Sequence, residues 1–495
     1  MGLLQNQNLE KIMTKSLFEV LQKTVQGDIS DAKYIRDFYS VDASFYRILP
    51  KIVITPKNQS DVISIVKTAK KFKTSVTVRG AGTGLVGGAL NSGIILDMKN
   101  FDSCIVKKDH VVVGPGLKKG KLDKKLESEQ KFFPPNPSIG VFCSIGGMIG
   151  NNSSGSRSLK YGSTIDNIQE VTFVDGNGQK ITLPKDKKIF QKLVKITEKQ
   201  KREKFPRVSK NSSGYRIDKV KEETDSHKLL VGSEGTLGII LSAKLKIKDK
   251  PRKRALFIIE YDSLNVCAKN CLDIIKTNPS ALEFVDKPTI KQIDFKFTNN
   301  TRCALFVEYD EKIISSEKQL RKITNERIVQ KLTKRTEIDR WWKYRDASLH
   351  HSLKSIKKEN RIPHVIEDAA VPLENLSDLF RILNKLNKKY KTKSIGYGHA
   401  GNGNIHIRLI ATRANKELIK KIASEYFEHV TKLGGTITAE HGDGLARSEF
   451  IKKQYGKENY EIFKQIKNLF DPHNILNPNK IITKKSTITK NLEDF

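Results

Sequence analysis

Arg79-Gly-Ala-Gly-Thr-Gly-Leu-Val-Gly-Gly-Ala89 follows Ser75-Val-Thr-Val78, a short run that is typical of a β-strand. A turn this rich in glycine exposes successive backbone N–H groups, which can form a concave site for phosphate oxygens. The spacing matches neither Gly-x-Gly-x-x-Gly at the start of a helix nor a Walker loop, so those two nucleotide motifs are excluded. A single loop of this kind also fits a purely structural turn, and both interpretations stay open at this point.

Two more glycine-rich loops lie in the same half of the chain. Ser144-Ile-Gly-Gly-Met-Ile-Gly-Asn-Asn-Ser-Ser-Gly155 combines glycine with small hydroxyl and amide side chains. Val231-Gly-Ser-Glu-Gly-Thr-Leu-Gly-Ile-Ile240 ends in an apolar run. Three such loops in one region favour a long ligand that contains a pyrophosphate and two ring systems.

Short predicted strands and helices alternate around these loops and indicate an α+β domain of roughly 200 residues. Residues 51–55 are its first expected strand, and residues 1–45 before it are expected to be helical. Ser60 or Asp61 is expected to cap the next helix, which should end at Phe72.

A second pattern begins at residue 252 and predicts a separate sheet with helices on one side of it. The expected strands are residues 252–260, 303–309 and 404–410, and the expected helices are residues 263–276, 315–331, 373–390 and 416–433. A last helix is expected over residues 450–470.

The composition indicates a folded protein of two or three domains. The 495 residues are 37% hydrophobic and 29% charged. No apolar run reaches the length of about 18 residues that a transmembrane helix needs. Residues 1–15 show neither a secretory nor a transit pattern.

The five cysteines include no Cys-x-x-Cys pair, which excludes an iron–sulfur or cysteine-type zinc site within this chain. Such an odd and sparse count is typical of a reducing compartment. We therefore expect a cytoplasmic protein, with peripheral attachment to the inner face of the cytoplasmic membrane as an open alternative.

The net charge of +35 suggests an anionic partner, either nucleic acid or an acidic membrane surface. The lysines are scattered along the chain, and no RNP, zinc-finger or helix-turn-helix signature is present. We therefore expect no nucleic-acid partner, and a basic surface that attracts anionic substrates, proteins or lipid.

Two histidine motifs near the C-terminus indicate catalytic chemistry. They are Gly396-Tyr-Gly-His-Ala-Gly-Asn-Gly-Asn-Ile-His406 and Thr438-Ala-Glu-His-Gly-Asp-Gly444. Two imidazoles and one carboxylate, here His399, His406 and Glu440, are the ligand set of a catalytic divalent metal with an open position. His441 would then be left as an acid or base.

Together, the loops resemble the flavin-binding domain of the family of vanillyl-alcohol oxidase and p-cresol methylhydroxylase (PCMH). The histidine motifs narrow the resemblance to the FAD-linked D-2-hydroxyacid dehydrogenases, a branch that includes D-lactate dehydrogenase, D-2-hydroxyglutarate dehydrogenase and the glycolate oxidase D subunit. The resemblance implies an α+β fold: a two-subdomain PCMH-type FAD-binding domain plus a C-terminal α+β substrate (cap) domain with an antiparallel sheet and flanking helices. The implied divisions are a helical segment 1–45, the FAD-binding domain 46–249, the cap domain 250–430, and a segment 431–495 that completes the active site and the FAD-binding domain.

The resemblance also implies which residues bind FAD. The cofactor-binding residues would be Arg79, Gly80, Ala81, Gly82, Thr83, Gly84 and Leu85 in the first loop; Ser144, Gly147, Asn151, Asn152, Ser154 and Gly155 in the second; Glu234, Gly235, Ile239 and Ile240 in the third; and Asn477. Thr83 stands where relatives with covalent FAD often have histidine, which implies non-covalent FAD.

In the same family the residues that match His399, His406 and Glu440 bind a metal, which implies Zn²⁺ or Mn²⁺ here. The residue that matches His441 is the catalytic base, and the one that matches Arg345 clamps the substrate carboxylate, a role that suits the planar guanidinium fork. Hydride would pass from C2 of a small 2-hydroxyacid to the flavin N5.

Arg408 lies two residues after His406 and would share its face of a strand. D-2-hydroxyglutarate dehydrogenases often have asparagine at this position, and lysine where Ile366 stands. We expect Arg408 to make a second anionic contact, and an ion pair with an acid such as Asp443 is the open alternative.

Electrons would leave through a quinone, a cytochrome, an electron-transfer flavoprotein or a separate iron–sulfur subunit. A bacterial subgroup with similar motifs fuses the flavin half to a cysteine-rich half, which this chain lacks. Two other functions stay open: non-redox ether-lipid chemistry on the same fold, and a non-catalytic flavin-binding subunit of a glycolate oxidase-like complex. Retention of all proposed ligands argues against both. The substrate, the metal and the oligomeric state, including a homodimer, also stay open.

Overall fold

The computed structural model describes residues 16–291, 293–325, 327–354, 362–412 and 414–493, without the side chains of residues 347–354. Residues 1–15, in which we expected no targeting signal, lie outside the described residues. No helix of the described part is both long and apolar enough to cross a membrane.

A four-stranded sheet carries the first glycine-rich loop. Its strands are β1 (Asp28–Ser30), β2 (Ile52–Thr55), β3 (Val76–Arg79) and β4 (Ile94–Asp97), in the order β1-β2-β4-β3. Strands β2, β4 and β3 are parallel, and β1 is antiparallel to β2. Strand β1 falls within the segment that we expected to be helical, so that expectation was wrong for this part.

The helix after β2 begins earlier than we expected. It spans Gln59–Lys71 and is capped by Asn58, whose side chain accepts the Asp61 backbone N–H, and not by Ser60 or Asp61. The Asp61 carboxylate instead accepts the backbone N–H groups of Gln26 and Gly27 at 2.9 and 3.0 Å. It therefore joins the N-terminal segment to this helix.

A five-stranded antiparallel sheet lies beside the first sheet. Its order is β5-β6-β10-β8-β9, and a separate pair joins β7 to β11. The strands are β5 (Cys104–Val106), β6 (His110–Val113), β7 (Lys131–Phe132), β8 (Ile168–Val174), β9 (Lys180–Leu183), β10 (Ile239–Lys246) and β11 (Lys248–Asp249). The third glycine-rich loop leads into β10, at the centre of this sheet.

A six-stranded sheet, entirely antiparallel, forms the second half, as expected for the cap domain. Its order is β15-β12-β14-β13-β16-β17. The strands are β12 (Ala255–Tyr261), β13 (Ala281–Asp286), β14 (Cys303–Tyr309), β15 (Ile328–Leu332), β16 (Lys393–His399) and β17 (Asn404–Ile410). Strand β15 occupies the end of the helix expected over 315–331; that helix ends at Thr324, before Asn325 turns left-handed with φ 49°.

Residues 16–24 are helical, as expected for the N-terminal segment. The α-helices that follow are α1 (Lys33–Tyr39), α2 (Gln59–Lys71), α3 (Lys119–Glu127), α4 (Ile145–Asn151), α5 (Ser158–Tyr161), α6 (Lys187–Thr197), α7 (Leu264–Ile274), α8 (Lys287–Ile290), α9 (Ile313–Thr324), α10 (Arg335–Lys354), α11 (Leu376–Tyr390), α12 (Lys416–Lys432), α13 (Gly444–Arg447) and α14 (Ile451–Phe470). Helices cover both faces of the six-stranded sheet, and not one face as we expected. Alternate side chains of β12 point to opposite faces: Phe257 packs in the core that contains α7 and α11, and Ile258 packs with Trp341 of α10.

The C-terminal segment returns to the first half of the chain. The Asn477 backbone N–H donates to the Val76 carbonyl at 2.9 Å, and Leu476 pairs with Val76 beside β3. The C-terminal segment therefore packs against the sheet that carries the first glycine-rich loop.

Candidate active site

One cavity of about 400 Å³ brings the glycine-rich loops and the histidine motifs together. Its wall includes all seven predicted residues of the first loop. It also includes the predicted residues Ser144, Gly147, Asn151, Ser154, Gly155, Glu234, Gly235, Ile240, Arg345, His399, His406, Arg408, Glu440 and His441. Two sets of residues that were predicted separately therefore face the same space.

The first loop lies over the side chain of Arg79. The Arg79 Nη1 donates to the Val41 carbonyl at 2.8 Å, and the Gly82 carbonyl accepts the Ala43 N–H at 3.0 Å. At Gly82, φ is 68°, and an added Cβ would lie 2.4 Å from Arg79 Nη2. The loop therefore requires glycine at this position, and Arg79 holds the loop from beneath.

The second loop packs directly against the first. The Ser144 hydroxyl accepts the Gly147 N–H at 3.2 Å and caps α4. A Cβ on Gly80 would lie 1.9 Å from that hydroxyl oxygen. The absence of a side chain at Gly80 therefore permits the close approach of the two loops.

The third loop is joined to the C-terminal segment by Glu234, which has a left-handed φ of 52°. Its carboxylate accepts the backbone N–H groups of Asp443 and Gly444 at 2.6 and 2.9 Å. Burial raises the pKa of Glu234 to about 7. Burial and the nearby Glu234 raise the pKa of Asp443 to about 8.

Three predicted flavin-binding residues lie behind the cavity wall. Asn152 accepts the Ile165 N–H at 2.9 Å, and Ile239 is buried in β10. The Asn477 amide donates to the carbonyls of Gly88 and Glu234 at 2.9 and 2.7 Å. In this structure these side chains support the loops, and direct contact with a cofactor stays a prediction for them.

The imidazoles of His399 and His406 converge on one carboxylate oxygen. The Oε1 atom of Glu440 lies 2.9 Å from His399 Nε2 and 3.1 Å from His406 Nε2. His441 is stacked on His406 with ring centroids 5.0 Å apart, and its Nε2 lies 3.9 Å from the same oxygen. All four side chains come together as the sequence predicted.

Buried carboxylates fix the other ring nitrogens. Glu283 Oε1 lies 2.6 Å from His399 Nδ1, and Glu367 Oε2 lies 2.8 Å from His441 Nδ1. Metal-binding histidines commonly have such a carboxylate on the second nitrogen, which orients the ring. Neither carboxylate was among the predicted site residues.

Asp368 holds the turn that carries Glu440. Its Oδ2 accepts the backbone N–H groups of Ala439, Glu440 and His441 at 3.0, 2.9 and 2.8 Å. One atom each from Asp368, His406, Glu440 and His441 lie within 4.8 Å of one another, so these residues could also hold an ion. The backbone bonds of Oδ2 favour a supporting role for Asp368.

The second oxygen of Glu440 has its own partners. Lys210 Nζ donates to Oε2 at 2.8 Å and to the Asn404 amide oxygen at 3.0 Å, and the Ser154 hydroxyl also donates to Oε2. Burial alone would raise the pKa of Glu440, but Lys210 and His399 outweigh it and hold the pKa well below its usual range. Glu440 is therefore ionised, with only Oε1 turned to the imidazoles.

Arg345 and Arg408, the two of the three cavity arginines that lie beside the histidine cluster, differ in their partners. The Arg345 guanidinium is paired with Glu283, and its Nη1 lies 3.1 Å from Asp346 Oδ1. Arg408 Nη2 lies 3.3 Å from Glu367 Oε1, whereas its Nε and Nη1 have no hydrogen-bond partner among the described residues. The open alternative, an ion pair with a neighbouring acid, is therefore present, but with Glu367 and not with Asp443, whose carboxylate accepts from the Ser213 hydroxyl and the Gly214 N–H.

The pKa values of two histidines in the cluster shift in opposite directions. Burial lowers the pKa of His406, which keeps a ring nitrogen able to bind a metal. Burial would also lower the pKa of His441, but Glu367 and Asp368 outweigh it and raise the pKa to about 9. The donors of His399, His406 and Glu440, with Glu283 behind the His399 ring, therefore fit a metal of the zinc type.

Two family descriptions match most of the chain. Residues 50–184 match the FAD binding domain, and residues 250–481 match the C-terminal domain of FAD linked oxidases. Among solved structures, alkyldihydroxyacetonephosphate synthase superposes with a TM-score of 0.64 at 17% identity, over 91% of this chain and 82% of that one. This likeness confirms the two-domain fold.

The similar curated proteins are oxidoreductases of 2-hydroxyacids. Glycolate oxidase subunit GlcD of Bacillus subtilis is 29% identical, over 96% of this chain and 98% of its own length. D-lactate dehydrogenase of Archaeoglobus fulgidus is 29% identical, over 90% of this chain and 96% of its own length. D-2-hydroxyglutarate dehydrogenase of Haemophilus influenzae is 28% identical, and this chain spans 50% of its length.

Proposed function

From the premise that the chain belongs to the FAD-linked oxidoreductases, we propose that it oxidises a D-2-hydroxyacid to the 2-oxoacid. The observation that carries this proposal is the meeting of His399, His406 and Glu440 on the wall that the glycine-rich loops also line. When bound there, a divalent metal such as Zn²⁺ or Mn²⁺ would lower the pKa of the C2 hydroxyl, and non-covalent FAD would accept the hydride from C2.

Arg408 is the cation of the cavity that we assign to the substrate carboxylate. It is 6% exposed, it lines the cavity, and its Nε and Nη1 lack hydrogen-bond partners among the described residues. A buried guanidinium in this state is stabilised by an anion that supplies the missing acceptors.

Arg345 is better suited to positioning. It pairs with Glu283 Oε2, and Oε1 of the same carboxylate lies 2.6 Å from His399 Nδ1. Through Glu283, Arg345 would fix the orientation of the His399 ring. A direct contact of Arg345 with substrate, which the family resemblance implies, becomes the secondary assignment.

His441 is the proposed acceptor of the hydroxyl proton, in its neutral form, which the charge of a bound divalent cation would favour by lowering the ring pKa from about 9. Its Nδ1 faces Glu367, which leaves Nε2 on the side of Glu440 and the cavity. The proton of the C2 hydroxyl would pass to His441 as the C2–H bond breaks and a carbonyl forms at C2, with bound FAD as the acceptor of the hydride. Glu367 would stabilise the protonated ring.

The substrate is proposed to be a small monocarboxylate such as D-lactate or glycolate. Of the two arginines beside the histidine cluster, Arg408 pairs with one carboxylate and Arg345 with two, so Arg408 can bind one substrate carboxylate. D-2-hydroxyglutarate carries a second carboxylate that needs its own cation. The reduced flavin would pass its electrons to a quinone, a cytochrome, an electron-transfer flavoprotein or a separate iron–sulfur subunit.

Anaerobic loss of the oxidised-flavin absorbance tests the proposal directly. The panel is D- and L-lactate, glycolate, D- and L-2-hydroxyglutarate and D-malate. We expect rapid reduction by D-lactate or glycolate, lost after treatment with a chelator and restored by Zn²⁺ or Mn²⁺. Flavin that every acid of the panel leaves oxidised would refute the reaction, and equal reduction before and after chelation would refute the metal.

A further inference from the structure

Two segments beside the first glycine-rich loop expose large apolar side chains. One is the apolar tip, Ile139, Val141 and Phe142, of which Val141 and Phe142 are 65% and 67% exposed. The other is α1, where Tyr34 and Phe38 are 76% and 68% exposed. Contiguous exposed apolar groups of this size mark interaction sites more often than scattered single residues do.

The apolar tip forms part of the cavity rim. Ile139 and Cys143 line the cavity, and Cys143 Sγ lies 3.7 Å from the Thr83 hydroxyl in the first loop. Val141 and Phe142 lie between them in a short 3₁₀ turn and are not part of the lining. Their side chains therefore point away from the cavity and into solvent.

Helix α1 leads directly into residues that hold the same loop. None of its seven residues is buried, and Tyr34 and Phe38 are one turn apart on one face. The next residues hold the loop, because Tyr39 lies against Arg79 at 5.2 Å and the Ala43 N–H donates to Gly82. A helix this short gains little stability without packing, so a partner on its aromatic face would stabilise it.

Basic side chains surround both apolar segments. Gly120 of α3 contacts the tip, since a Cβ there would lie 2.9 Å from Val141, and Lys124 is one turn further on the same face. Lys33, Lys118 and Lys124 take part in no ion pair within the described ranges. The nearby acids Asp37, Asp102 and Asp123 are each paired with a lysine or arginine, and Asp31 is the acidic exception.

We propose that the apolar tip and the aromatic face of α1 insert into an anionic membrane surface and place the mouth of the cavity against it. Exposed apolar groups flanked by lysines, on a chain of net charge +35, have the chemistry that binds the headgroup region of such a bilayer. Binding itself does not depend on the proposed oxidation. Its consequence does rest on that function, because the surface would bring the flavin near a lipid-soluble electron acceptor.

Sedimentation of the full chain with lipid vesicles tests this surface. The vesicles are phosphatidylcholine alone or mixed with phosphatidylglycerol, and flavin content and melting temperature report on folding. The variants are Val141→Ser with Phe142→Ser, Tyr34→Ser with Phe38→Ser, and Lys118→Gln with Lys124→Gln. Ile314→Ser is the matched control, since Ile314 is 87% exposed on α9 of the cap domain.

We expect the unchanged chain to sediment with anionic vesicles and not with neutral ones. Each apolar double variant should bind at least about tenfold more weakly, the lysine variant should bind more weakly at low salt only, and the control should bind normally. Equal loss in Ile314→Ser, or equal binding to neutral vesicles, would overturn the proposal. An absence of vesicle binding would also overturn the proposal. If light scattering then showed a dimer that the tip variants break, the apolar tip would be a contact between two copies of the chain.

Discussion

The two walls of the cavity are built in different ways. The loop wall, made by the three glycine-rich loops, depends on backbone shape and on side chains that are absent, as at Gly80 and Gly82. The charged wall, made by the histidine motifs and their carboxylates, depends on the mutual contacts of buried ionised groups. The loop wall is therefore specified over short stretches of chain, and the charged wall only by the folded whole.

This contrast separates the expected effects of substitution. Changes in the charged wall should alter catalysis and metal binding while the flavin stays bound. Changes in the loop wall should alter flavin binding and stability first. The following experiments test that division.

Glu440→Gln should have the largest effect. It removes the charge that His399, His406 and Lys210 share, so we expect metal to be lost and kcat to fall about a thousandfold or more. Metal analysis by mass spectrometry and flavin reduction measure the two losses, and Glu417→Gln on the surface is the control. A variant that kept its metal and its rate would contradict the assignment of Glu440. A variant that lost its flavin would show that the charged wall also supports flavin binding.

Arg408→Leu should come next, with kcat/KM for the preferred acid about a hundredfold lower and KM affected more than kcat. The reason is the loss of the guanidinium that we assign to the carboxylate. Arg381→Leu, on the exposed face of α11, is the control. If Arg345→Leu raised KM while Arg408→Leu did not, the roles of the two arginines would have to be exchanged.

Lys210→Met should weaken metal binding about tenfold to a hundredfold, the usual range for a group that supports a ligand. Lys210 is 1% exposed and donates to the oxygen of Glu440 that faces away from the imidazoles. Competition with a fluorescent chelator measures the metal Kd, and the exposed Lys221→Met is the control. An unchanged Kd would show that Ser154 alone is enough to orient Glu440.

Gly80→Ala tests the loop wall. The new Cβ would meet the Ser144 hydroxyl at 1.9 Å, so we expect a loss of about 1–3 kcal/mol in the free energy of unfolding, together with weaker FAD binding. Gly150→Ala is the control, because its Cβ would lie 3.9 Å from the nearest atom, in Glu234. Equal melting temperatures for the two apoproteins would show that the loops can separate at little cost.

The smallest effect concerns the carboxylates that join the third loop to the C-terminal segment. The pKa values of Glu234 and Asp443 are raised to about 7 and about 8, so the folded chain binds more protons than the unfolded chain. Stability should therefore be lost as pH rises from about 4 through about 8. In Asp443→Asn, the fall in melting temperature over this pH range should be smaller by a few degrees. An unchanged fall would show that these two carboxylates do not cause it.

Local sequence was sufficient for the loops and several elements. Strands β14 and β17 have the bounds that their apolar pattern predicted, and α14 begins within one residue of its expected start. Local sequence did not predict β15, because the pairing of that strand with β12 is a contact between distant segments. It also failed to anticipate that helices cover both faces of the six-stranded sheet.

For the site, the sequence by itself determined the glycines and the histidine motifs, because left-handed turns, close backbone approach and metal-type chemistry each demand particular residue types. Only the tertiary structure decided the partners. Glu283 and Lys210 belong to no motif that we interpreted, and Ser154 reaches Glu440 across 286 positions of the chain. Likewise, only the fold pairs Arg345 with Glu283 and leaves Arg408 with unmet donors. The physical reason is that a buried charge must be paired, and which groups share its low-dielectric surroundings is settled by packing between distant segments.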